Sequence, residues 1–280
     1  EIKTYLSVLK ESERKKTNGA IFCGVHLEGP WINPEKAGAQ NREYIRPPNI
    51  EELSEYFREY PRIRMVTLAP EMPGALQLIE WGAIHGITMA VGHTNGNYMD
   101  AVNAWHAGAS HATHLFNAMP SLHHREPSIL GGILDLPYSV EMILDGVHIH
   151  PAIARLVFRL KKNKIALISD SIPITEKNKG YLGGIKVEMK EGKCYVAGTN
   201  TLAGSTLTMN VAAKNAMTYM NASLTQIANM TYYTPLSVIG ESPVFLKYGA
   251  IKNGVVLDRD FNVLATIINE VPIVDNGIFK

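Results

Sequence analysis

The 280-residue chain is short of cysteine: Cys23 and Cys194 are the two it has. That excludes a framework of several disulfides and fits a reducing compartment, with both residues expected as free thiols. Long hydrophobic runs are missing as well, none approaching the ~18 residues of a membrane span. The opening EIKTYLSVLKESERKK is amphipathic and charged, unlike a secretion signal. Neither sign of charge is in excess, with Lys+Arg 27 against Asp+Glu 26, so nothing electrostatic points to nucleic acid or an anionic membrane surface as a partner. An initial methionine is also lacking, and a chain starting at Glu1 is expected to have lost its beginning. What remains, 46% hydrophobic and 19% charged residues, is the composition of an ordinary globular protein, expected in the cytoplasm. Disordered, collagenous and coiled-coil classes drop out.

Histidine, by contrast, is concentrated. All 10 fall between His26 and His150, and six (His93, His106, His111, His114, His123, His124) lie within a stretch of 32 residues. Crowded imidazoles point to metal or acid/base chemistry, because neutral imidazole ligates zinc and titrates near physiological pH. Any one of them alone is more simply a surface or packing residue, so their places along the chain have to decide.

Six short β-branched or apolar runs read as buried strands: IFCGVHLE (21–28), RMVTLAPE (64–71), TMAVGHT (88–94), SHATHLF (110–116), VEMILDG (140–146) and IALISD (165–170). Between them, IEELSEYFREY, ALQLIEWGAIHG, NYMDAVNAWHAG and PAIARLVFRLKKNK carry helical patterns with Pro at starts and Gly past ends. Such alternation implies a parallel sheet with crossover helices. At or just past the end of each strand run stands a potential ligand or proton carrier: Glu28, Glu71, His93, His114, His148 and Asp170. In a (β/α)8 barrel of TIM type those ends converge on one face, whereas a doubly wound sheet would spread them along an edge. The expected fold class is therefore α/β, a TIM-type barrel. Six strands do not close eight, so its first two strands are expected to be missing from this chain.

Past Asp170 the pattern changes. GGIKVEMKEGKCYVAG reads as a hairpin about Glu191-Gly192, and TLTMNVAAKNAMTYM as a helix whose Met and Tyr residues belong to the core. NASLTQIANMTYYTP reads as a helix stopped by Pro235, and AIKNGVVLDRDFNVLATIINE as two strands joined at Asp258-Arg259-Asp260. The expected division is a barrel domain over 1–249 and the C-terminal strands of a small β appendage over 250–280.

Glu28, His93 and His114 make one carboxylate and two imidazoles, a three-ligand set that leaves a metal position open to water. Such a site acidifies water and polarises a carbonyl, the equipment of a hydrolase, and Asp170 is then the free carboxylate that shuttles the proton. The structural alternatives are buried hydrogen-bonding groups at strand ends for the first three, and a helix cap or ion-pair partner for Asp170. Glu71 reads as a structural carboxylate, and His26, two residues before Glu28 on the same strand side, as a support for the metal site. Periodicity does not choose between His148 and His150.

Taken in order, the segments GVHLEGPWINPEKAGA, VTLAPE, VGHTNGNYMDA, ATHLFNAM, HREP, DGVHIHP, SDS and GTNTLAGSTLTM resemble the N-acetylglucosamine-6-phosphate deacetylases, a family of the amidohydrolase superfamily. The resemblance runs from near residue 21 almost to the end. It implies a (β/α)8 barrel with a small β-sandwich, a divalent metal (zinc or iron) held by Glu28, His93 and His114, and Asp170 as the acid/base that activates the attacking water and then protonates the leaving amine. It implies further that Asn117 and Ala118, the latter by its backbone, contact the sugar phosphate. Arg125 and His148 would face the phosphate, one of them across the interface of a homodimer, with the DGVH pattern favouring His148 over His150. Leu202, Ala203 and Gly204 would close over the substrate, and Ala39 would make a backbone contact near the acetamide. Three positions depart from the family: Gln40 stands where a His usually polarises the acetamide carbonyl, Ser128 where Gly is usual, and Ser171 where Ala is usual.

The expected function is hydrolysis of the acetamide of N-acetylglucosamine 6-phosphate to glucosamine 6-phosphate and acetate, with this small amino-sugar phosphate as partner. The alternatives are a deacetylase of another N-acetylhexosamine phosphate, suggested by Gln40 and Ser128, and a non-catalytic sugar-phosphate-binding fragment, suggested by the missing strands.

Overall fold

The computed structural model describes residues 2–13, 19–174, 180–243, 253–276 and 278. The expected domain boundary at 249/250 lies outside them. Strands β1 (Val25–Glu28), β2 (Ile63–Leu68), β3 (Thr88–Val91), β4 (His111–Ala112), β5 (Ser139–Ile143) and β6 (Ile165–Ile168) form one parallel sheet in chain order. Helix α1 (Ile2–Ser12) precedes it, and α2 (Ile50–Glu59), α3 (Ala75–Ile84), α4 (Tyr98–Ala107), α5 (Ser128–Asp135) and α6 (Pro151–Lys161) return the chain between successive strands. An order that never reverses, with crossovers of one hand, keeps the helices on one face. This arrangement fits a TIM-type barrel, since a doubly wound sheet needs a reversal of order. The ends of β2, β3 and β4 are level, Leu68 pairing Val91 and Val91 pairing Ala112; β5 runs three residues further, since Ala112 pairs Val140, and ends level with β6 where Ile143 pairs Ile168.

Local chemistry explains the elements. Asn97 caps α4 in a box with Asp100, and Gly108, in the left-handed region, ends it. Asn49 caps α2. Helix α5 has no counterpart in the sequence reading because Gly131 and Gly132 break its pattern; yet a Cβ at Gly132 would lie 2.5 Å from Ala101 Cβ, so these glycines let α5 lie against α4. Leu68, Leu78, Ile79, Met89, Ile133 and Tyr138 fill the layer between sheet and helices, all fully buried.

The expected hairpin is there, β8 (Ile185–Lys190) with β9 (Lys193–Val196), joined by β7 (Gly180–Leu182) into a three-stranded antiparallel sheet. Helix α7 (Met209–Met220) follows, but its buried face is Ala212, Ala213, Ala216 and Met220, while Met209 and Met217 are exposed. The assignment of its Met and Tyr residues to the core holds for Met220, with Tyr219 packed against that core, and is corrected for Met209 and Met217: alanines let α7 approach closely. Pro235 does not stop the next helix either. After α8 (Leu224–Ala228) and a π-helical turn, Asn229–Tyr233, it sits in the first turn of α9 (Thr234–Val238), where a missing N–H breaks no helical bond. The terminal sheet has three strands, β10 (Gly254–Leu257), β11 (Val263–Ile268) and β12 (Val271–Asp275), where two were expected. Strand β12 is largely exposed at the sheet's edge and carries Pro272, which obscures a strand pattern. Cys23 and Cys194 are free, and among the described residues no helix is long and apolar enough to cross a membrane.

Candidate metal centre and active site

Glu28 ends β1, while His93 and His114 each stand two residues past a strand, in left-handed backbone at φ +48° and +28°. That turn, unfavourable for a side-chain-bearing residue, swings both rings back over the sheet's end. Glu28 Oε1 lies 2.7 Å from His93 Nε2 and 2.9 Å from His114 Nε2, and the two nitrogens are 3.0 Å apart. The His93 ring is fixed from behind: its Nδ1 is 2.7 Å from the Lys36 carbonyl, which can only accept, so Nδ1 donates there and Nε2 is the nitrogen turned toward Glu28. Gly38 makes this approach possible, since at φ +59° a Cβ there would come 3.3 Å from His93 Cε1. Two imidazole nitrogens and a carboxylate oxygen crowded together are the donors a divalent cation unites, so these residues fit a metal.

Charge in the cluster is mutually dependent. Burial works against an ionised Glu28, but hydrogen bonds from His114 and His93 hold its carboxyl well below the usual range. Burial also opposes charging His114, and the hydrogen bond and attraction of Glu28 overcome it, pushing that imidazole up to about 9. Asp170 follows β6 by two residues at φ +47°. Burial, then the repulsion of Glu28, raises its carboxyl to about 6. The turn is clasped by the 202–205 loop: Ser205 N–H donates to the Asp170 carbonyl at 2.7 Å, and Ser205 Oγ donates to the Ser169 carbonyl. A Cβ on Gly204, at φ +63°, would come 2.9 Å from that Asp170 oxygen.

These groups open into one cavity of about 600 Å³. Of the residues expected at the site, Glu28, His93, His114, Asp170, Ala39, Gln40, Asn117, Ala118, His148, Leu202 and Gly204 line it. Ala203 does not: it is fully buried behind the loop. Arg125 is not brought there either. It is exposed on its own loop, its Nη1 2.9 Å from His124 Nε2. His148 faces the cavity while His150 caps α6 by accepting from Ala152 N–H. Glu71 accepts from Asn33 Nδ2 and Asn95 N–H, tying two loops together as a structural carboxylate. His26 bonds Thr67 Oγ1 at 2.7 Å, so its ring supports β2 and does not orient Glu28.

Sequence reading missed three partners. Asp145 holds His148 twice, by Oδ2 to Nδ1 at 2.7 Å and Oδ1 to the backbone N–H at 2.8 Å; it was visible in DGVH. Lys36 acts by its carbonyl, which no side-chain pattern reveals. Glu141 looks like one polar residue in a buried strand, yet it accepts the His114 backbone N–H.

The sequence model of the amidohydrolase family matches residues 6–243. An N-acetylglucosamine-6-phosphate deacetylase of Bacillus subtilis is 37% identical over 268 residues, 92% of this chain and 67% of the relative. A human protein of the same name is 34% identical over 90% of this chain and 65% of its own. The chain thus spans about two thirds of the length of these curated relatives. A solved structure of a point mutant of N-acetyl-D-glucosamine-6-phosphate deacetylase from Mycobacterium smegmatis, in complex with N-acetyl-D-glucosamine-6-phosphate, matches with a TM-score of 0.91 at 33% identity, covering 98% of this chain and 73% of that one.

Proposed function

The chain belongs to the amidohydrolase family, and on that premise we propose that it hydrolyses the acetamide of N-acetylglucosamine 6-phosphate to glucosamine 6-phosphate and acetate. The observation that carries this is the placement of Asp170, a carboxyl lifted to about 6, on the wall of the same cavity as Glu28, His93 and His114. A divalent metal, zinc or iron, would be held by those three residues and would acidify water and polarise the acetamide carbonyl. Asp170 then takes a proton from the attacking water. As the C–O bond forms and the C–N bond breaks, it delivers that proton to the leaving amine. Gln40 donates its amide N–H toward the carbonyl oxygen, a neutral substitute for a charged donor. Ala39 lies beside it, and Leu202 and Gly204 cover the sugar. Asn117 and the Ala118 backbone receive the sugar phosphate with His148, which Asp145 orients.

Arg125 completes the phosphate end from a second copy of the chain, because its exposed loop reaches no part of its own cavity; this makes the working form a homodimer. The barrel closes with two further strands beyond the six, the 1–249 segment forms the barrel domain with 250–280 in the small β-sheet appendage, and the enzyme works in the cytoplasm. The test is acetate release from N-acetylglucosamine 6-phosphate by the zinc-loaded chain, compared with its unphosphorylated and epimeric analogues. Release from the phosphorylated glucosamine compound alone supports the proposal. Faster release from an epimer would move the assignment to another N-acetylhexosamine phosphate, the reading that Gln40 on the cavity wall favours.

A further inference from the structure

Beneath the metal cluster lie two ionisable residues that the reaction does not use. His111 opens β4 and Glu141 is the middle residue of β5, and both are buried, at 0% and 5% exposure. His111 pairs with Ser139 across the sheet, and Glu141, two residues on, shares the Ser139 face. Ser139 Oγ donates its hydrogen to the Ser110 carbonyl at 3.1 Å, so it accepts from His111 Nδ1 at 2.7 Å. His111 Nε2 then lies 3.2 Å from Glu141 Oε1 without a hydrogen bond between them. The other Glu141 oxygen accepts the His114 backbone N–H at 3.0 Å, and the Glu141 carbonyl accepts the Leu115 N–H at 3.0 Å.

Glu141 therefore grips the chain where it leaves β4 and turns into the left-handed conformation of His114. The two metal-facing histidines differ in what aims them. His93 is held through its ring by the Lys36 carbonyl, but His114 Nδ1 is buried with no hydrogen-bond partner among the described residues. With nothing holding the His114 ring from behind, its direction is set by its backbone. We propose that Glu141 is a positioning residue for the metal centre, aiming His114 Nε2 by fixing its main chain. An apolar residue there would avoid the cost of burying a carboxylate but would leave that N–H unpaired.

The inference rests on the metal site proposed above, and the test separates the two. Co²⁺ is titrated into the chain and into Glu141→Leu and Glu141→Gln variants, reading the dissociation constant by chelator competition and the visible absorption of bound Co²⁺. Leu removes the acceptor, and Co²⁺ affinity is expected to fall roughly 10- to 100-fold with an altered spectrum, as for other outer partners of metal ligands. Gln keeps an acceptor for His114 N–H and can donate to His111 Nε2, so its affinity is expected within about threefold of the parent with an unchanged spectrum. Parental affinity and spectrum in a folded Leu variant would overturn the proposal. So would a tenfold loss in the Gln variant, which would assign the effect to charge and which decides the matter if the Leu variant does not fold. A parent chain that binds no Co²⁺ would sink the metal site and this inference with it.

Discussion

At one end of the cavity, Glu28, His93 and His114 arrive from the ends of three parallel strands and meet within 4.8 Å of one another. His148, which also lines the cavity, stands five residues past β5 on a loop, and Arg125 remains in solvent away from it. The strand-end group is built by hydrogen-bonded register, which fixes positions to fractions of an ångström within a single chain. The loop group depends on short local devices such as the Asp145 clasp, and nothing comparable brings Arg125 to the cavity. The contrast is physical: a parallel sheet makes remote residues neighbours, whereas a loop carries its side chains only as far as its own contacts hold it.

The sharpest way to break this contrast is to remove its strand-end members one by one. Glu28→Gln is expected to weaken metal binding by more than the roughly 10- to 100-fold typical of an outer partner, with activity lost in step. Asp170→Asn is expected to lower kcat by about 10² to 10⁴ while leaving metal content unchanged, because Asn tolerates the left-handed backbone at this position. Metal content by mass spectrometry beside kcat separates the two roles. An Asp170→Asn variant with unchanged kcat would end the acid/base assignment.

The loop end should respond in KM. Loss of a charge-assisted hydrogen bond to phosphate corresponds to about 1.5–3 kcal/mol, roughly 10- to 100-fold; His148→Asn and Arg125→Ala are each expected to raise KM for the phosphorylated substrate by that order. Mixing Arg125→Ala with Asp170→Asn is expected to restore fast turnover at low substrate that neither variant shows alone, since one site in a mixed dimer then has both residues intact. No recovery on mixing would place Arg125 outside any active site.

This division also governs what was legible in the sequence. Strand ends could be read because apolar runs of four to six residues stop at a ligand-type residue, so Glu28, His93, His114 and Asp170 stood out before any contact was known. What holds them could not be read. The Lys36 carbonyl and the Glu141 grip on His114 N–H are backbone interactions between residues far apart in the chain, which carry no pattern. Helix α5 was hidden by its glycines, and Ala203 and Arg125 came from family resemblance, which supplies positions without saying whether one folded chain brings them together. The departure at Ser128 gains a reason from the structure: its φ of +56° is where glycine sits without strain.

Smaller changes sharpen the comparison from the backbone side. Gly38→Ala at φ +59° is expected to cost about 1–2 kcal/mol of stability and, by pressing on His93 Cε1, to weaken metal affinity a few-fold. Ser128→Gly is expected to gain about 1 kcal/mol and leave metal affinity unchanged, because the Ser128 hydroxyl bonds only the Pro120 carbonyl and the Leu130 N–H, and no metal ligand. Thermal denaturation with and without metal distinguishes these outcomes. Equal effects of the two on metal affinity would mean that the strand-end cluster is less insulated from the loops than its register implies.

The smallest effect expected is on pH dependence, and it follows from Asp170 lying at the strand-end side of the cavity. Burial and the negative charge of Glu28 raise its carboxyl to about 6. As a base it must be ionised, so kcat is expected to fall as the medium is acidified through its pKa; a cation at the cluster favours the carboxylate and moves that limb below 6. Stability carries the opposite sign. The folded pKa lies above the 3.8 of an unperturbed aspartate, so the folded metal-free chain binds this proton more tightly than the unfolded chain. The stabilisation is complete below 3.8 and is lost as pH rises through about 6. Denaturant midpoints measured on metal-free protein between about pH 4 and 7 should therefore decline more in the parent than in Asp170→Asn, which has no proton to lose. Parallel midpoints would show that Glu28 does not act on Asp170 across the cavity, and that the strand-end residues are neighbours without being electrostatically coupled.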